Sequence, residues 1–157
     1  MVLVENTISK AKVNPKYRCD LDTKDIEIRA VPHERYAPVL KRVWTHSEYG
    51  KFLDSSVHGD HFMVDGVDAG VTVTDDGEIT GLFNDSPISG LGEVLLYKAI
   101  DEGGDHLNCF EGFLSEWYED HGFEIVNRIP WDDEYAPRGW DYEKFGRPDV
   151  VEMELVS

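Results

Sequence analysis

The stretch from Ile79 to Arg128, ITGLFNDSPISGLGEVLLYKAIDEGGDHLNCFEGFLSEWYEDHGFEIVNR, decides the fold. Its apolar pattern reads as strand, glycine loop, helix, strand, helix, Gly-Phe and strand. Two anchors punctuate it: Ser89-Gly90-Leu91-Gly92 opens a helix, and Trp117 to Phe123 closes one. Glycines at a strand-to-helix turn bring backbone N–H groups to a helix N-terminus, which suits a phosphate. Tyr118 stands one turn before the helix-ending Gly122, where its hydroxyl can face the same cleft as an acid.

Working outward, residues 26–31 alternate with period two and predict a strand that Pro32 ends. Tyr36, Leu40, Val43 and Trp44 recur at helical spacing and predict a helix over 33–46, with Pro38 a candidate for its true start. Ser47 is a plausible N-cap for a second short helix over 48–53. Strands follow over 61–64 and 70–74, and the Asp76-Gly77 hairpin signal returns the chain as a strand over 79–83. Residues 84–90 read as a loop, 91–100 as a helix stopped by Glu102-Gly103-Gly104, and 106–110 as a short strand. A short helix with Phe113, Leu114, Trp117 and Tyr118, then a strand over 123–129, complete the central stretch. Residues 130–149 form a long polar and aromatic loop, and 150–156 alternate as a last strand.

The expected class is therefore α/β in the α+β sense: a mixed, mostly antiparallel sheet with helices on both faces. Residues 1–25 read as an N-terminal extension and 26–157 as a single domain, a size that supports a real core.

The formal net charge is −17 and is unevenly spread. Residues 1–42 hold nine Lys and Arg against six Asp and Glu, whereas residues 43–157 hold six against 26. Such a field repels phosphate backbones, which argues against direct nucleic-acid binding, and it attracts cationic partners. A solvated acidic surface serving solubility alone accounts for the same charge equally well. Two cysteines, Cys19 and Cys109, make no disulfide framework or CxxC motif, and the expected setting is cytoplasmic. No segment has the apolar run of a signal peptide or a membrane span.

On these residues the chain resembles the GNAT superfamily of acetyl-CoA-dependent N-acetyltransferases, from about Ile26 to the C-terminus. Ser89-Gly90-Leu91-Gly92 resembles the family's pyrophosphate loop, and Tyr118 with Gly122-Phe123 its tyrosine and Gly-Phe pair. The family usually has Gln or Arg three residues before the first glycine; here that position is Pro87. The segment Asp133 to Tyr142 also resembles small GNAT-like proteins carried by phages and prophages.

The resemblance implies acetyl-CoA as co-substrate and a cationic amine, small molecule or protein lysine, as acceptor. Leu82, Phe83 and Asn84 would supply backbone N–H groups near the thioester carbonyl. Ser89, Gly90, Leu91 and Gly92 would hold the pyrophosphate. Tyr118 would protonate the leaving thiolate, with a packed core tyrosine as its plain alternative. Glu111 or Asp85 would serve as base. The second reading is an inactive GNAT-like acidic protein that binds a basic host protein, as a phage-encoded inhibitor or nucleic-acid mimic would. A homodimer is left open.

Other residues read as structural. Cys109 sits mid-strand as a small buried hydrophobe. His58-Gly59-Asp60-His61 has metal-like spacing, yet lacks a third ligand, so no metal is expected. His33, His46, His106 and His121 are scattered and read as surface or capping residues. The aromatics of residues 130–149 either wall an acceptor site or pack on themselves as an Ω-loop, the second being favoured.

Overall fold

The structure, a computed structural model, describes residues 26–48 and 50–156. The expected extension over residues 1–25 lies outside the described residues. The chain divides into two compact units that meet in sequence at Gly104 and Asp105.

The first unit is an antiparallel meander. Strand β1 (Ile28–Val31) pairs with β2 (Asp60–Val64), β2 with β3 (Asp68–Val73), and β3 with β4 (Ile79–Asp85). Helix α1 (His33–Thr45) connects β1 to β2, and α2 (Leu91–Asp101) follows β4. Tyr36 and Leu40 of α1 pack with Val57, Met63 and Phe83 in one buried cluster. Phe62 instead meets Lys98 of α2 in a cation–π contact, 5.4 Å from ring centre to ammonium. Neighbouring strand residues point to opposite faces, so Met63 and Phe62 put α1 and α2 on opposite sides of this sheet, as the sequence predicts.

Amphipathic spacing explains each helix. Leu91, Val94, Leu95 and Ala99 are all buried along one stripe of α2, which packs on β3 and β4. Leu91, Val94 and Leu95 each stabilise by about 1.5–3 kcal/mol when fully removed from water. The amides of Glu102, Gly103 and Gly104 turn back onto carbonyls of the last helical turn and stop α2 where the glycines predict.

Three boundaries differ from expectation. Pro38 does not start α1; it lies inside a helix that begins at His33. Its missing N–H falls in the second turn, on an exposed face, where water can satisfy the carbonyl left over. The short helix over 48–53 is a single 3-10 turn, Gly50–Phe52, although Ser47 does cap it, its Oγ accepting the Gly50 N–H at 3.0 Å. Asn84 and Asp85, expected in a loop, extend β4 and pair with Ala69 and Asp68.

The second unit is a three-stranded antiparallel sheet. The order is β5 (His106–Phe110), β7 (Val150–Leu155), β6 (Phe123–Ile129), with α3 (Phe113–Glu119) between β5 and β6. The described strands thus form a four-stranded and a three-stranded sheet, both antiparallel. In the 130–149 segment, Trp140 is buried and sits 5.1–5.3 Å from Trp131, Phe110 and Phe145, and its Nε1–H donates to the Gly146 carbonyl at 2.9 Å. Arg147 stacks on Tyr142 and pairs with Asp133, which also accepts from the Trp131 indole. Trp131, Trp140, Tyr142 and Phe145 pack on each other and on Phe110 of β5, as the favoured Ω-loop reading expects, whereas Tyr135 is exposed. A single turn, α4 (Tyr142–Phe145), lies within this loop.

Candidate active site

The site begins with an irregularity in β4. Gly70 of β3 faces Phe83, and Thr72 faces Thr80, so Val71 is opposed by both Gly81 and Leu82. One residue too many on β4 makes a β-bulge, a device that leaves a residue outside the ladder and re-aims the strand. Gly81 takes φ +62°, and a Cβ there would lie 2.6 Å from the Tyr36 hydroxyl. That hydroxyl donates a short hydrogen bond to the Gly81 carbonyl. Burial drives the Tyr36 phenol far above its ordinary range, so it remains a donor. The buried Tyr36 of α1 therefore pins the bulge. β4 is also the edge of its sheet, so its outer backbone groups have no ladder partner within that sheet. Leu82, Phe83 and Asn84, the candidate carbonyl-binding donors, lie at or directly after the bulge on this edge strand.

After β4 the chain is locked by three side-chain bonds. Asn84 Nδ2 donates to the Ile88 carbonyl at 2.9 Å, Ser86 Oγ donates to Asn84 Oδ1 at 2.6 Å, and Ile88 N–H donates to Ser86 Oγ at 3.2 Å. This closed ring sets the approach to Ser89. Gly90 then caps α2 in the left-handed region, φ +87°, which glycine adopts without the penalty other residues meet. At Gly92 a Cβ would meet nothing within 4 Å, so that side of the first turn is open. The first amides of α2 have no carbonyl one turn back, and an anion is a natural partner for them.

Beside Asn84 lies a cavity of about 500 Å³ lined by Arg42, Val43, His46, Ser47, Asn84 and Asp85. Sequence reasoning named only Asn84 and Asp85 of these as site residues. Arg42 reaches from α1 to Asp68 at 2.6 Å and to Asp85 at 3.6 Å. The local sequence holds no Lys or Arg between Lys51 and Lys98; the fold brings one in from α1. The 42, 43, 46 spacing marks a helix face, but nothing in the sequence joined that face to residue 84.

Three histidines gather elsewhere in the first unit. His33 Nδ1 lies 3.0 Å from His61 Nε2, His58 stacks on His33 at 4.7 Å, and His61 Nδ1 bonds Thr72 Oγ1 at 2.7 Å. His61 is 3% exposed and stacks on Tyr36. His33, expected to stand alone, joins the His58 and His61 pair. Among the described residues, no group of three or more His, Cys, Asp or Glu is placed to hold a metal ion.

In the second unit, Tyr118 is buried on α3, edge-on to Trp117 and Phe123. Glu111 forms a close ion pair with Arg128, which also nears Asp149. Cys109 has its thiol pushed up to about 11 by burial, so it stays protonated as a packed residue. Among the described residues, no helix is long and apolar enough to cross a membrane.

The chain, an antiparallel meander whose last strand leads through a tight turn into a glycine-capped helix, has the fold of the GNAT acetyltransferases. Among solved structures it is similar to the ribosomal-protein-S18-alanine N-acetyltransferase from Escherichia coli. The TM-score is 0.51 at 20% identity, over 83% of this chain and 92% of that one. It is also similar to an IAA acetyltransferase from Bacillus cereus ATCC 14579, at TM-score 0.49 and 15% identity over 83% and 99% of the two chains. A probable acetyltransferase of the GNAT family from Chromobacterium violaceum ATCC 12472 gives 0.48 and 15% over 83% and 82%. No family model matches the sequence, and no curated protein does.

Proposed function

We propose that the chain is an N-acetyltransferase that moves an acetyl group from acetyl-CoA to a cationic amine. The observation that carries this reading is the run from the β4 bulge through the Asn84–Ser86–Ile88 lock to the glycine-capped start of α2. The bulged edge at Leu82, Phe83 and Asn84 offers backbone donors to a thioester carbonyl. Ser89, Gly90, Leu91 and Gly92 offer amides and a helix dipole to the pyrophosphate. The structurally similar protein from Escherichia coli is a ribosomal-protein-S18-alanine N-acetyltransferase, whose acceptor is an amine.

In this reading Tyr118 protonates the departing thiolate. A phenol is a weak acid, but a thiolate is basic enough to take its proton. Of the two base candidates, Glu111 is paired with Arg128 and Asp85 faces Arg42. The acidic surface favours a cationic acceptor by long-range attraction.

Calorimetric titration with acetyl-CoA tests the reading. Binding at micromolar to submillimolar coenzyme is expected, and Tyr118→Phe should keep that binding while losing turnover. No binding at millimolar coenzyme overturns it. That result would leave the second reading, a GNAT-fold protein that presents its acidic surface to a basic partner. From Ala99 to Asn127 the chain carries eight acids and no Lys or Arg.

A further inference from the structure

His46 closes α1, one turn after Arg42. Its Nδ1 lies 2.8 Å from the Arg42 carbonyl oxygen. A carbonyl only accepts, so Nδ1 carries the proton, and in the neutral ring the lone pair is on Nε2. The same ring lines the 500 Å³ cavity beside Asn84 and Asp85, at the end of the strand whose bulged edge is the candidate thioester site. A fixed tautomer beside a cavity is what a proton acceptor needs.

The other polar groups of that cavity are already engaged. Arg42 from α1 faces Asp85 of β4 and Asp68 of β3, and the two carboxylates compensate its charge. The cavity is therefore open to a cation despite the arginine, and Asp85 is directed at a guanidinium. Ser47 Oγ accepts from Gly50, and the Asn84 side chain is held by Ile88 and Ser86. Among the cavity's lining residues, His46 has a ring nitrogen whose lone pair none of these bonds uses.

We propose that His46 is the general base for the acceptor amine, a role that rests on the acetyl-transfer reading. Nε2 takes one proton from the ammonium. The neutral nitrogen then forms its bond to the thioester carbonyl carbon, and the carbon–sulfur bond breaks. The thiolate leaves with the electron pair and is protonated by Tyr118; the second nitrogen proton and the His46 proton pass to solvent, from which Tyr118 recovers its own.

The test measures thiol release from acetyl-CoA with an alanine-initiated peptide, spermidine and lysine as probe amines, between pH 5.5 and 9. His46→Asn keeps an N–H donor near the Arg42 carbonyl but has no base, and His46→Ala removes both. Circular dichroism checks that each variant folds, and calorimetry checks that each binds coenzyme. The expected result is a fall of about a hundredfold or more in kcat/KM with coenzyme affinity retained. The acid limb of the pH profile should disappear, and added imidazole should restore turnover to His46→Ala. Turnover and pH profile unchanged in the variants overturn the base and leave acetyl transfer standing. A wild-type protein that binds no coenzyme, or releases no thiol with any of the amines, overturns both.

Discussion

Helix α1 has a histidine near each end, and the two ends of the first unit treat them differently. At its start, His33 meets His61 and His58 against Thr72 and Tyr36, and both ring nitrogens of His61 are engaged. At its end, His46 spends one nitrogen on a backbone carbonyl and lines an open cavity. Burial removes water and offers fixed partners, which commits an imidazole to structure. Exposure beside a cavity leaves one nitrogen available for chemistry. Between them, Tyr36 ties the helix to the bulge at Gly81, so the closed end and the open end share one buried core.

That shared core is the place to break both ends together. Phe83 of β4, directly before Asn84, is buried edge-on to the Tyr36 ring. Phe83→Ala should cost about 3–5 kcal/mol by loss of burial and creation of a cavity, read as a lower urea midpoint. Coenzyme binding should weaken in the same variant, because the bulge loses its support.

Acid separates the two ends. Burial lowers the pKa of His61 below its ordinary 6.5, with further lowering from His33 and His58 and a smaller opposing effect of Asp60. The unfolded chain therefore binds more protons than the folded one just below pH 6.5. Stability is complete above that pH and is lost as pH falls through the lowered value of the folded state. Melting temperature should drop between pH 7 and 5. His61→Gln should flatten the drop. An equal slope in wild type and His61→Gln would break the contrast between the ends.

The smallest effect is expected at Arg42. Its ion pairs are half-exposed, and such pairs are worth roughly 0–1 kcal/mol. Arg42→Gln should barely shift the urea midpoint. It should instead change cavity selectivity, since Asp68 and Asp85 lose their counter-charge, and tighten the binding of spermidine in a salt-dependent manner.

Much of the fold is legible in the order of residues, because its signals are local. The strands over 106–110 and 123–129 fall where alternation and flanking glycines put them. The stripe of α2 is buried as its spacing predicts. The Ser89 to Gly92 turn falls between strand and helix for the same reason: positive φ at Gly90 is a property of one residue. Where local signals compete with pairing, they fail. Asn84 and Asp85 look like loop residues and are strand, because β3 supplies ladder partners for them. Pro38 looks like a helix start and is helix interior, because burial of Tyr36 and Leu40 holds the helix through it.

By itself the sequence determined element order and the glycine-capped helix, since periodicity and turn chemistry act over a few residues. Only the tertiary structure decided that Val71 faces two residues of β4, that Arg42 and His46 belong beside Asn84, and that His33 joins His61. Each of these depends on chain segments far apart in sequence being packed together, and register and packing are set by the whole buried core rather than by any one stretch of it.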